Sequence, residues 1–251
     1  MTSTNKTAIV TGSTSGIGAA IARALAADGI TVLVTGRDAT RGRKITEEIT
    51  GAGHRAVFVP SDLAGEPARV RAFAAEAREA LGGTVDILVN NAGIYVTRPT
   101  PTLEDDDLDR MLAVHIRAPY VLVAELAPAM AERGRGAIVN VGSWMSRTGL
   151  PFGALYTATK AADEQLTRAW AAEFGPRGVR VNAVAPGITL TEGNAAAHDM
   201  AKANAKGTPA GVPVQPDDVA AAVAFLVSDR AAMVQGTTLD VDGGLTATRL
   251  A

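Results

Sequence analysis

Along the chain, short runs of nearly unbroken apolar, often β-branched residues alternate with longer Ala-rich segments in which apolar positions recur every three or four residues. The runs at 7–12, 31–36, 56–61, 86–93, 137–143, 179–187 and 238–244 read as strands. Consecutive apolar positions, as opposed to alternating ones, predict strands covered on both faces, as in a parallel sheet. The segments at 16–28, 40–52, 66–82, 104–132, 153–174 and 216–228 carry the helical period. Strand–helix alternation joined by right-handed crossovers predicts an α/β fold: a doubly wound, seven-stranded parallel sheet with helices on both faces. No compositional break or linker divides residues 1–251, so one domain is expected. The stretch 188–215 fits neither period, follows the sixth strand, and is expected to form a lid with short helices over the substrate.

In sheets of this kind ligands bind beyond the carboxyl ends of the strands, near the point where strand order reverses. The residues ending the expected strands are Thr11-Gly12, Gly36-Arg37, Ser61-Asp62, Asn91-Ala92-Gly93, Ser143 and Pro186-Gly187. Polar residues and glycines thus gather on one edge.

Composition narrows the chemistry. Apolar residues make up 47% and charged residues 20%, the balance of a globular protein. A formal net charge of −2 without a basic run gives a nucleic-acid partner no electrostatic support. The absence of cysteine removes disulfide and thiolate chemistry, and His54, His115 and His198 lack ligand spacing, so no metal is expected. The N-terminal "MTSTNKTAIV" has no signal-length apolar stretch, and the apolar run at 219–227 is too short for a bilayer. A soluble, cytoplasmic protein with no membrane partner is expected.

The run "VTGSTSGIG" at 10–18 follows a strand and opens a helix. Gly12, Gly16 and Gly18 permit a tight turn and let backbone amides approach a pyrophosphate at the helix N-terminus. Ser15 and Ile17 lie in the same turn. After the second strand, where an acid would hold a ribose 2′-hydroxyl, the chain has Gly36-Arg37. Arg37, with Ser13 assisting, suits a 2′-phosphate and favours NADP(H) over NAD(H); alternatively Arg37 is a solvated loop residue. Asp38 is one position late for the ribose and suits a helix cap. Finally, Tyr156 and Lys160 in "YTATK" lie one turn apart on a helix face. They read either as a core-edge tyrosine beside a solvated lysine, or as a lysine that stabilises a tyrosinate for acid/base work.

Taken in order, "TGSTSGIG" at 11–18, Asp62-Leu63, "NNAG" at 90–93, Ser143, "YTATK" at 156–160, "PGITLT" at 186–191 and "VDGG" at 241–244 resemble the short-chain dehydrogenase/reductase family in its single-domain form. The resemblance covers essentially the whole chain and implies a Rossmann fold. It implies that Asp62 and Leu63 contact the adenine and that Asn91, Ala92 and Gly93 flank the adenosine ribose. Pro186, Gly187, Thr189 and Thr191 would belong to the nicotinamide side, with Thr191 on its carboxamide. Ser143 would hold the substrate oxygen and Tyr156 would pass its proton. Lys160 would bind the nicotinamide ribose and favour the tyrosinate. A homotetramer, or a dimer, is implied as well.

One position departs from the family pattern. His115 stands where an asparagine usually helps hold a water leading to the lysine, so it either takes over that relay or is a polar helix residue facing a gap. Substrate contacts are expected from Ser143, Trp144, Met145, Phe152 and Tyr95, with Leu150 and the lid. The reading is an NADP(H)-dependent carbonyl reductase or alcohol dehydrogenase acting on a small-molecule carbonyl or alcohol. A 3-oxoacyl-carrier-protein reductase-like enzyme and a non-catalytic NADP(H)-binding sensor are the alternatives.

Overall fold

The computed structural model describes residues 6–248. Its seven strands are β1 Thr7–Val10, β2 Thr31–Val34, β3 Ala56–Phe58, β4 Ile87–Asn90, β5 Gly136–Val141, β6 Val179–Pro186 and β7 Thr238–Val241. They form one sheet in the order β3-β2-β1-β4-β5-β6-β7, every neighbouring pair parallel. Strand order therefore reverses between β1 and β4, and a crevice opens beyond the carboxyl ends of those two strands. The helices are α1 Gly16–Ala27, α2 Ala39–Gly51, α3 Pro67–Ala80, α4 Asp105–Leu112, α5 Ala118–Glu132, α6 Ala154–Phe174, α7 His198–Ala205 and α8 Pro216–Val227.

Successive strand residues point to opposite faces and fill two cores. Val10, Val34, Val89 and Val139 face α1 and α8, packing with Ile21, Leu25, Val223 and Leu226. Ile9, Leu33, Leu88 and Ile138 face the other way, with Phe73 of α3, Leu122 and Met130 of α5 and Trp170 of α6. This double burial is why the strands carry no apolar–polar alternation.

Two departures from the sequence reading bear on the site. The fourth strand ends at Asn90 and not at 93, because Asn91 N turns back to Val89 O at 3.2 Å and to Thr11 Oγ1 at 2.9 Å. The helix expected over 104–132 is interrupted: Ala113–Arg117 forms a π turn between α4 and α5. Such turns widen the helix by one residue and re-aim the side chains on it; here they are His115 and Arg117. The stretch 188–215 carries the short helices expected of it. Val214 N bonds Ile188 O at 2.9 Å and Leu190 N bonds Val214 O at 3.1 Å, closing its base, while a 3₁₀ turn at Glu192–Ala197 and α7 form its body.

Candidate active site

The glycine-rich turn is built by close approach. Gly12 has φ +63°, and a Cβ there would lie 2.8 Å from Ala92 Cα. At Gly18 a Cβ would lie 2.4 Å from both Asn91 Nδ2 and Gly12 O, so α1 sits on the end of β1 only with glycine at that position. The side chain of Asn91 ties the two strand ends together, its amide donating to Thr11 O at 2.8 Å and Gly12 O at 3.1 Å. Ser15, the N-cap of α1, makes no side-chain capping bond, so the helix end keeps free amides and its positive dipole for an anion. That cradle opens into a cleft of about 660 Å³ that runs from Arg37 to Thr191 and Gly193.

At the far end of the cleft Asp38 caps α2. It accepts from Arg41 N at 2.9 Å and pairs with Arg41 Nε at 2.7 Å, and these bonds hold its carboxyl below the usual range. Arg37 is exposed and lines the cleft beside Thr14. Ser13 does not take the assisting role expected of it. It is fully buried, its hydroxyl donating to Val10 O at 2.6 Å and accepting from Thr35 N at 3.0 Å, so it braces the turn from inside. Asp62 and Leu63 form a further part of the cleft wall. Arg117 holds that wall from the π turn, donating to Ala64 O at 2.9 Å and Gly65 O at 3.0 Å.

The acid/base candidates gather where β5 ends and α6 begins. Ser143 is buried, and its Oγ accepts from Met145 N at 3.2 Å, which leaves its own proton to donate. Tyr156 is half-buried between two rings, with Tyr95 edge-on at 4.8 Å and His115 edge-on at 5.7 Å between centroids. Lys160 is 6% exposed and donates to Val141 O at 2.8 Å and to Asp163 Oδ2 at 3.0 Å. Burial works against its charge, but Asp163 and Tyr156 outweigh that and hold its pKa above the ordinary lysine value.

His115 is 1% exposed, and its Nε2 lies 3.0 Å from Ile94 N and 2.9 Å from Ile94 O. Only one of these contacts is a hydrogen bond in a given tautomer. Its Nδ1 has no partner and is buried. Burial, and then the Lys160 charge, push its pKa down to about 3, so the ring is neutral throughout the ordinary pH range. An acidic fall in turnover from His115 protonation near pH 6 is therefore not to be expected.

Several candidates sit apart from the cleft wall. Thr191 lines it, but Pro186 is buried at the end of β6 and the Thr189 hydroxyl is spent on Gly187 O at 3.0 Å. Gly187 is pressed against Asp242, with 2.6 Å from a would-be Cβ to its Cα. These three support the lid's base from behind. Among the substrate candidates Met145 is buried under Tyr95, whose hydroxyl lies 3.9 Å from its Sδ, whereas Tyr95 and Phe152 are exposed and Trp144 half-exposed.

The sequence reading missed Asp163 and Glu164, both buried on α6. The available signal was helical spacing. Positions 160, 163, 167, 170 and 174 share the inward face of α6, and polar residues occupy the first three of them.

The chain is similar over nearly all its length to known proteins. The family model described as "Enoyl-(Acyl carrier protein) reductase" matches residues 12–246. D-threitol dehydrogenase of Mycolicibacterium smegmatis is 38% identical over 245 residues, covering 96% of this chain and 93% of that protein. A solved structure titled "short chain dehydrogenase/reductase family protein" superposes with TM-score 0.89 at 44% identity, covering 99% of this chain and 100% of that one. A putative NAD(P)-dependent gluconate 5-dehydrogenase from Beutenbergia cavernae, solved with bound NADP at low occupancy, superposes with TM-score 0.91 at 39% identity, over 98% of this chain and 99% of that one.

Proposed function

Since the chain belongs to the short-chain dehydrogenase/reductase family and is an NAD(P)-dependent oxidoreductase, we propose that it uses NADP(H) to interconvert a carbonyl and a secondary alcohol, with Tyr156 as the acid/base. The carrying observation is the cluster itself: a half-buried Tyr156 ringed by Tyr95 and His115, with the buried Lys160 ammonium one turn along the same helix.

The glycine cradle and the uncapped start of α1 fit a pyrophosphate, and Arg37 beside Thr14 fits a 2′-phosphate. Asp38, next to Arg37 in the chain, already serves Arg41 and the helix cap. Bound there, the dinucleotide supplies or accepts the hydride. The protein handles the oxygen. Ser143 donates a hydrogen bond to the substrate oxygen and keeps its proton, while Tyr156 passes a proton to that oxygen in reduction or takes one in oxidation. Lys160 favours the phenolate by its charge. Tyr95 stands edge-on to Tyr156, an aromatic neighbour that suits an apolar or cyclic carbonyl body.

NADPH oxidation across ketones, diketones, quinones and acyl thioesters tests the reading. Turnover with at least one simple ketone or diketone is expected. No turnover with any member would sink it, and turnover confined to acyl thioesters would favour the carrier-protein alternative. Arg147, a basic residue close by, is engaged by Asp240 and Glu164, which argues against that alternative.

A further inference from the structure

A carboxylate buried beside a lysine is costly to keep: each ion loses its hydration, and an apolar residue of similar size packs the same space more cheaply. Asp163 is 6% exposed on the inward face of α6, where Trp170 and Phe174 continue the row as apolar residues. Its Oδ2 lies 3.0 Å from Lys160 Nζ. Lysine has three N–H donors; Asp163 and the Val141 carbonyl take two, which leaves one for the reacting side.

We propose that Asp163 is a positioning residue for the reaction: it is the counter-ion of Lys160, fixes the ammonium against β5, and offsets part of the positive charge that favours the Tyr156 phenolate. This rests on the reading of Tyr156 and Lys160 given above. The charges that bear on Asp163 are Lys160 and Glu164 of its own helix. Glu164 is in turn paired with Arg147, 3.3 Å away beyond β5. Facing Lys160 are Tyr156 and, from the π turn, His115, which is neutral. Burial, opposed by Lys160, raises the Asp163 carboxyl above the ordinary carboxylate range. Asp163 has two opposite consequences for catalysis. The carboxylate keeps the lysine charged and in place, while its own charge makes the phenolate less favourable than a lone lysine would.

The test is kcat/KM for alcohol oxidation against pH in the unmodified protein, Asp163→Asn and Tyr156→Phe. Asp163→Asn keeps the volume and an acceptor for Lys160 while removing the charge. Its acidic limb should move to lower pH by roughly one unit, whereas Tyr156→Phe should be inactive throughout. A superimposable profile with Tyr156→Phe inactive overturns the counter-ion role alone. An active Tyr156→Phe overturns the site reading and this inference with it. Thermal melting without cofactor reads the pair independently of activity. Asp163→Asn should lower Tm, and adding Lys160→Met should recover most of the loss, because an unpaired buried lysine is what destabilises the single variant. A fold lost in Asp163→Asn and regained in the double variant is the same result in stronger form. Additive losses, or a fold not regained, overturn the pairing.

Discussion

His115 stands where the family resemblance would put a short amide, and burial decides what its ring does. With its folded pKa depressed to about 3, well below the ordinary histidine value, the neutral ring meets no penalty above about pH 6.5. As pH falls through that value the unfolded chain takes up a proton that the folded chain refuses, so stability drains away toward pH 3. The loss should reach about 3 kcal/mol by pH 4. Melting between pH 7 and pH 4 should therefore show a steeper decline in the unmodified protein than in His115→Asn; parallel declines would mean that the ring titrates normally. Arg37 makes a separate expectation at the same scale. NADPH should bind more tightly than NADH, and Arg37→Ala should lose most of the difference, about 1.5–3 kcal/mol for a charge-assisted contact. Equal dissociation constants for the two cofactors in the unmodified protein would defeat it. Tyr156→Phe should abolish turnover yet leave NADPH affinity within about twofold, since the hydroxyl acts on substrate; near-normal turnover would contradict the mechanism.

Among the elements, β4, β5 and α6 are fastened by buried amides that strand patterning does not reveal. Asn90 of β4 and Asn140 of β5 are in register, with Asn90 Nδ2 donating to Asn140 Oδ1 at 2.9 Å. Asn140 Nδ2 then donates to Thr167 Oγ1 at 2.8 Å, and Thr167 Oγ1 to Asp163 O at 2.8 Å. The chain of bonds ends on the turn of α6 that carries Lys160, so it sets that helix against the sheet. Asn140→Ala should strand Asn90 and Thr167 and cost about 2–4 kcal/mol, and it should slow turnover more than it weakens NADPH binding. A change under about 0.5 kcal/mol would mean that water replaces the amide. Strand positions and the glycine turn were legible because burial on both faces and φ > 0 leave few residue choices. The π turn was not legible: a helix period runs through 104–132 unbroken, and what widens it is His115 bonding Ile94 and Arg117 reaching Ala64, contacts remote in sequence. Ser13 misled for a similar reason. One residue of turn separates a hydroxyl in the cleft, as at Thr14, from one bonded inside to Val10 and Thr35.

For the whole molecule, the helices that hold the site from one side also present an uncovered apolar face. The long helical stretch Asp105–Glu132 is apolar enough and long enough to cross a bilayer, yet 61% of its most apolar window is buried against the fold, and the π turn interrupts it. What remains outside includes Tyr120, 57% exposed, Leu112, 41% exposed, and Leu108, 37% exposed. The Tyr120 ring lies 6.1 Å from the buried Trp170 of α6, so it rests on that helix with its outer side exposed. Aromatic and leucine side chains left together on one face suit a second copy of the chain better than water. A homotetramer, or a dimer, as the family resemblance implies, would cover this face. Light scattering at micromolar concentration should then report more than one chain, and Tyr120→Asp, which sets a charge in the middle of the patch without touching the cleft, should lower the mass. The site gives this assembly a functional reading. α6 carries Tyr156, Lys160 and Asp163 on its inward face, so a partner pressed on its outer face would restrain the helix that positions the proton donor. If so, dilution or Tyr120→Asp should lower kcat before it unfolds the protein. A monomeric mass for the unmodified chain, or full turnover in a dissociated Tyr120→Asp, would show that the catalytic helix is held by its own chain alone.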